Sequence, residues 1–199
     1  MTICAYCNQE RPATREHVIP AFLYALQKSL GEKVVGWSEV TEKMVGGEAK
    51  VKDVCAECNN GVLSELDAYG KQMLSNAGLL VHNYLDRSLE LTYEYSKLLR
   101  WLLKISFNSS RTDGAHRHLF EEFVPFILGE VQSPPRHRVG LLAYLAGAVA
   151  LSDCQAAQEP FRTAARGAKI LNPLIVRICY GFVPSDDTLT LRIIILGPL

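Results

Sequence analysis

Two cysteine pairs lie in the first sixty residues, Cys4-Ala5-Tyr6-Cys7 and Cys55-Ala56-Glu57-Cys58. A two-residue gap lets one tight turn present both thiolates to a single tetrahedral ion, and two such turns complete a four-sulfur shell. That shell has no open position, so it suits a structural Zn2+ and not a catalytic one. Buried or redox-active Cys-x-x-Cys turns are the alternative. Two pairs in one short stretch favour metal. Cys154 and Cys179 fall outside the pattern and read as ordinary buried thiols.

A second kind of chemistry lies between the pairs and just after them. Arg15-Glu16-His17-Val18-Ile19-Pro20 separates them, and Asn59-Asn60 follows the last cysteine. Zinc would therefore draw these two distant segments together. Glu16 and Asn59 offer oxygen ligands that suit a hard ion such as Mg2+ or Mn2+. On an extended strand His17 points away from Glu16, which leaves it free to take a proton from water. A general base and a cation that stabilises phosphate charge are what phosphodiester hydrolysis requires. Blander roles compete: His17 as a packed strand residue, Glu16 as a solvated carboxylate, Asn59 or Asn60 as a helix N-cap, Asp67 as a solvent-facing helix residue. His82, His116, His118 and His137 lack ligand-like spacing and read as surface or packing residues.

The elements that must position these groups follow from local patterning. Residues 14–19 read as an extended segment limited by Pro20. Residues 21–30 read as a short helix closed by Gly31. Residues 34–52 carry β-type residues interrupted by Gly46-Gly47, which suggests a hairpin or crossing loop. Residues 59–73 place Val62, Leu63, Leu66 and Met73 at helical spacing. These stretches make residues 1–75 one unit. Residues 76–199 form an α+β accessory region for substrate or partner binding. Within it, 95–108 is a helix with a broad apolar surface and 119–128 a helix disturbed at Pro125. Residues 138–151 could be strand or helix. Segments 174–183 and 189–196 are strands paired antiparallel across a turn at Pro184-Ser185-Asp186-Asp187. The expected fold class is α+β throughout.

The combination of Cys-x-x-Cys, Glu-His-Val-Ile-Pro and Cys-x-x-Cys-Asn-Asn resembles the HNH endonucleases with a zinc-bound ββα-metal core. Asn directly after the last cysteine is similar to the arrangement in phage endonuclease VII-type enzymes and in HNH proteins of bacterial defence and mobile-element systems. The resemblance covers about the first seventy residues, and a weaker likeness continues at 97–108. It implies a DNA-cleaving nuclease, such as the nuclease subunit of an anti-phage system. His17 would be the general base, Glu16 and Asn59 the ligands of the catalytic Mg2+ or Mn2+, and Cys4, Cys7, Cys55 and Cys58 the ligands of structural zinc. Many members carry a middle Asn that orients the base histidine. Here residues 9–58 contain none, so Asp53 or a backbone group is the candidate for that task.

Charge qualifies the picture. Lys+Arg and Asp+Glu both number 21, giving zero net charge, and DNA capture normally rests on cations that neutralise phosphate. Residues 133–182 hold the local excess: Arg136, Arg138, Arg162, Arg166, Lys169 and Arg177 against Asp153 and Glu159. The expectation is a nuclease helped by a partner protein or by homo-oligomerisation. The rival is a zinc-stapled interaction module or nucleic-acid-binding subunit without the chemistry. The start of the chain lacks a basic-then-apolar leader, and the longest apolar run, 139–151, is too short to span a bilayer. A cytoplasmic protein with no membrane association is expected.

Overall fold

The structure is a computed structural model. It describes residues 1–29, 31, 34–38, 43–113, 116–135, 139–143, 145, 149–150, 170–171, 176–182, 190–197 and 199. Arg136, Arg138, Arg162, Arg166, Lys169, His137, Cys154 and the turn at 184–187 lie outside those residues, so the expectations resting on them stay with the sequence.

The described residues form a mixed α and β protein with small antiparallel sheets. Strands β1 (Thr2–Ile3) and β2 (Glu10–Arg11) flank the first cysteine turn. Strand β3 (Ala13–His17) follows, and helix α1 (Ala21–Ser29) starts directly after Pro20. Gly31 closes α1 at φ 75°, where its N–H reaches the Lys28 carbonyl at 3.0 Å. Strands β4 (Val35–Ser38) and β5 (Lys43–Gly46) pair antiparallel within the 34–52 stretch expected to hold a hairpin or crossing loop, and Gly46-Gly47 lies at the end of the pair opposite Val35 and not at its turn. Strand β6 (Lys50–Cys55) leaves that hairpin and pairs antiparallel with β3, with a bulge between Thr14 and Glu16. The bulge re-aims the end of β3 next to the candidate residues.

The helix after β6 begins earlier than the sequence suggests. Helix α2 (Ala56–Cys58) runs into a wide π-type turn at Asn59–Leu63 and then into α3 (Ser64–Asn76). Cys55 holds the extended N-cap position (φ −73°, ψ 159°), whereas Asn59 is helical (φ −63°, ψ −50°). Asn59 is therefore not the N-cap. The second cysteine pair must itself turn to bring two sulfurs to one side, so the first helical turn starts inside the pair.

Helix α4 (Tyr95–Asp113) runs longer than expected and packs on α3. Its apolar surface is interrupted by buried Lys104, Ser106, Asn108 and Ser110. Trp101, fully buried, lies against Gly70 of α3, where a Cβ would come within 2.3 Å of the indole. The expected 119–128 helix is two pieces, α5 (His118–Glu121) and α6 (Val124–Leu128). Pro125 sits in the first turn of α6, where its missing N–H costs nothing, so it starts a helix and does not distort one.

One buried cluster joins Cys4, Tyr6, Val18, Leu23, Val54 and Leu63 to Leu99, Trp101, Phe107 and Ile127. The core therefore crosses the expected boundary at residue 75. Further on, β7 (Val149–Ala150) pairs with β8 (Ile170–Leu171), and β9 (Val176–Phe182) pairs antiparallel with β10 (Thr190–Leu196), as the sequence suggests for the last two strands. No helix among the described residues is long and apolar enough to cross a membrane.

Candidate functional site

The first cysteine turn is closed by backbone bonds. The Cys4 N–H donates to Gln9 O at 2.9 Å, and the Asn8 N–H donates to Cys4 O at 3.0 Å. Asn8 takes the left-handed conformation (φ 55°) that Asn tolerates better than most residues. The second turn is the start of α2. Together they bring the sulfurs of Cys4, Cys7, Cys55 and Cys58 within 4.8 Å of one another. Cys7 Sγ and Cys55 Sγ lie 3.7 Å apart. Four sulfurs about 2.3 Å from a tetrahedral zinc are separated by about 3.8 Å, so the cluster fits the ion.

Electrostatics support the same fit. Burial raises the Cys4 thiol, but N–H donation from Cys55, Cys7 and Tyr6 outweighs it and brings the group down to about 7. Burial, reinforced by neighbouring thiols, pushes Cys58 up, and burial raises Cys7 as well. Four thiols this close cannot all ionise unaided. A bound cation removes that conflict, and a coordinating thiol is deprotonated. Among the described residues this is the one group of three or more His, Cys, Asp or Glu placed to hold an ion.

Glu16 and His17 face opposite ways from the end of β3. The His17 ring lies near Tyr24 of α1 (5.8 Å between centroids), and its Nε2 is 2.9 Å from Glu48 Oε2. Glu48 also pairs with Lys28 (2.5 Å) and Lys50 (2.7 Å). Hydrogen bonds from those lysines and from His17 hold its carboxyl well below the usual carboxylate range. Glu48 is thus the carboxylate beside the histidine. Asp53, the residue suggested for that place, accepts from Arg111 Nε at 2.9 Å instead.

Glu16 is only 5% exposed and turns into the core. Its Oε1 lies 2.6 Å from Lys104 Nζ and accepts from Asn108 Nδ2 at 3.1 Å. Lys104, with no exposure, also donates to Asp67 Oδ2 at 2.8 Å, and Trp101 Nε1 donates to Asp67 Oδ1 at 3.1 Å. Neither Glu16 nor Asp67 is a freely solvated carboxylate. Asn59 is tied to the same strand: its Nδ2 donates to Thr14 Oγ1 at 2.8 Å and to Arg15 O at 3.2 Å. It therefore adjoins the backbone that carries Glu16 and His17. Tyr6, inside the first cysteine pair, donates to Asn108 Oδ1 at 2.6 Å. Burial holds the Tyr6 phenol well above its ordinary range, so its hydroxyl remains a donor.

Sequence reasoning missed Glu48, Lys104, Asn108 and Arg111. A faint signal exists for the last three. They recur at helical spacing along α4, polar positions on a helix whose other residues supply core. Glu48 carries none, because its role depends on where the β4–β5 hairpin returns.

No family model, curated protein or solved structure matches the chain. Fold and site define a mixed α and β protein with four cysteines positioned to bind a metal such as zinc.

Proposed function

We propose that this chain is a metal-dependent endonuclease of the HNH, ββα-metal kind that hydrolyses phosphodiester bonds in DNA. The observation that carries the reading is the hydrogen bond from Asn59 to the Arg15 carbonyl. The four cysteines join two strands and a helix, and Asn59 meets the segment that bears Glu16 and His17. His17, half-buried beside Glu48, is the general base that takes a proton from water. Glu16 and Asn59 would hold a Mg2+ or Mn2+ ion, which when bound supplies charge stabilisation to the phosphate and the leaving oxygen. Zinc on Cys4, Cys7, Cys55 and Cys58 is structural. DNA capture is shared with a partner protein or a second copy, because the net charge is zero.

The test is nicking of supercoiled plasmid with Mg2+ or Mn2+, comparing the native chain with His17→Ala and Glu16→Ala. Nicking by the native chain alone supports the reading. Equal activity in all three removes it.

One observation favours a second reading, a zinc-stapled interaction module without the chemistry. Lys104 already occupies the Glu16 carboxylate, so a divalent ion reaches Glu16 only if that ammonium yields. Persistent inactivity of the zinc-loaded native chain, even with the product of a neighbouring gene added, selects this reading.

A further inference from the structure

Asn108 is fully buried in the second half of α4, where a polar amide must find partners for all its hydrogen-bonding groups. Its amide is used to capacity. The two Nδ2 hydrogens go to Glu16 Oε1 (3.1 Å) and to the His17 carbonyl (2.9 Å). The two lone pairs of Oδ1 receive the Tyr6 hydroxyl (2.6 Å) and Arg111 (3.1 Å). The His17 carbonyl belongs to the same peptide plane as the Val18 N–H, and that N–H donates to Ala49 O at 3.0 Å. The plane leaving His17 is therefore held on both edges, by Asn108 and by the strand beside it. Tyr6, between two zinc-binding cysteines, fixes the other end of the amide.

We infer that Asn108 is a positioning residue: it fixes the Glu16–His17 segment against the first cysteine turn, so that the metal cluster sets the aim of His17. The inference rests on the reading of His17 as the base. Asn108 also holds Glu16, the proposed ligand of the catalytic ion, and outer partners of metal ligands typically change metal affinity or activity by about tenfold to a hundredfold when removed.

The test uses the full chain, purified with zinc, and three variants. Asn108→Leu keeps approximate volume and removes all four bonds. Tyr6→Phe removes one hydroxyl and leaves the ring edge-on to Phe107. Ser110→Ala, two residues on and turned to another side of the same helix, is the control for loss of a buried hydroxyl. Three quantities are read: zinc content, kcat and KM for plasmid nicking, and amide hydrogen exchange at Val18 relative to α3. In Asn108→Leu, zinc content stays unchanged. Its kcat falls about tenfold to a hundredfold with KM little altered, and Val18 exchanges faster while α3 does not. Tyr6→Phe moves the same readouts less, and Ser110→Ala moves none of them. If Asn108→Leu does not fold, Tyr6→Phe decides alone. Unchanged exchange at Val18, or acceleration spread evenly through α3, overturns the inference whatever the activity does. A native chain that never nicks DNA, even with the product of a neighbouring gene added, sinks the nuclease reading separately, and the exchange criterion then still decides the role of Asn108.

Discussion

Lys104 Nζ lies 2.6 Å from Glu16 Oε1, so the carboxylate of the residue before His17 is held by a cation that belongs to the chain itself. Both side chains are shut away from solvent, and Asp67 completes the group. Breaking such a pair from one side leaves an uncompensated buried charge, which typically costs about 3–5 kcal/mol. Lys104→Met should therefore lower stability by that order in denaturant titration, and the double change with Glu16→Gln should recover a large part. A single-variant loss below about 1 kcal/mol would be incompatible with a buried pair, since exposed pairs are worth that little.

Zinc removal should act on the fold as a whole. Cys4, Cys55 and Cys58 belong to the same buried cluster as Trp101. Binding free energy at a structural site is folding free energy. A strong chelator should release about one zinc per chain, shift tryptophan fluorescence to the red and abolish cooperative melting. Cys58→Ser should do the same without chelator. A chelated chain that melts as before would show that the cluster is not what closes the core.

Gly70 marks the tightest approach between α3 and α4. A Cβ there would meet the Trp101 ring at 2.3 Å, and an indole with no exposure has nowhere to move. Overpacking of this kind costs about 1–3 kcal/mol, more than the roughly 1 kcal/mol an alanine gains in helix propensity. Gly70→Ala should thus lower the melting temperature, and adding Trp101→Leu should reduce the incremental cost. A stabilised Gly70→Ala would mean that the helices do not meet there.

Glu48 gives stability a pH dependence of definite sign. Lys28, Lys50 and His17 depress its folded-state pKa below the unfolded value. A depressed carboxylate contributes fully above its unfolded pKa, and the contribution fades as pH falls through the range below it. Glu48→Gln should therefore be less stable than the native chain near neutrality, with the two converging in acid. Unfolding midpoints across an acid series would check this; a gap that widens in acid would contradict it.

Much of the site was legible in the sequence because it is local. Cys-x-x-Cys spacing forces a turn, Glu16-His17 on a strand forces opposite faces, and Gly31 ends a helix by its backbone freedom. The start of the second helix was not, because Asn59 and Asn60 read as N-caps, whereas the turn that brings Cys55 and Cys58 together is itself the first helical turn. Asp67 read as a solvent-facing residue because its partners, Trp101 and Lys104, lie more than thirty residues away. The same is true of Asn108, whose bonds to residues 16 and 17 span more than ninety positions. The helical spacing of Lys104, Asn108 and Arg111 marks one face of α4 but does not name the distant residues they pair with.

The polar face of α4 also sets an order of events during synthesis. Glu16, Asp53 and Asp67 all precede residue 75, yet the cations that meet them, Lys104 and Arg111, come later. A nascent chain stopped at residue 75 would have the four clustered cysteines and these three carboxylates but none of these counterions. It could gather metal, but it would stay hydrated at its centre. Only when α4 clears the ribosome can that centre dry. Early ion capture and late sealing would therefore be separate events in the birth of this molecule.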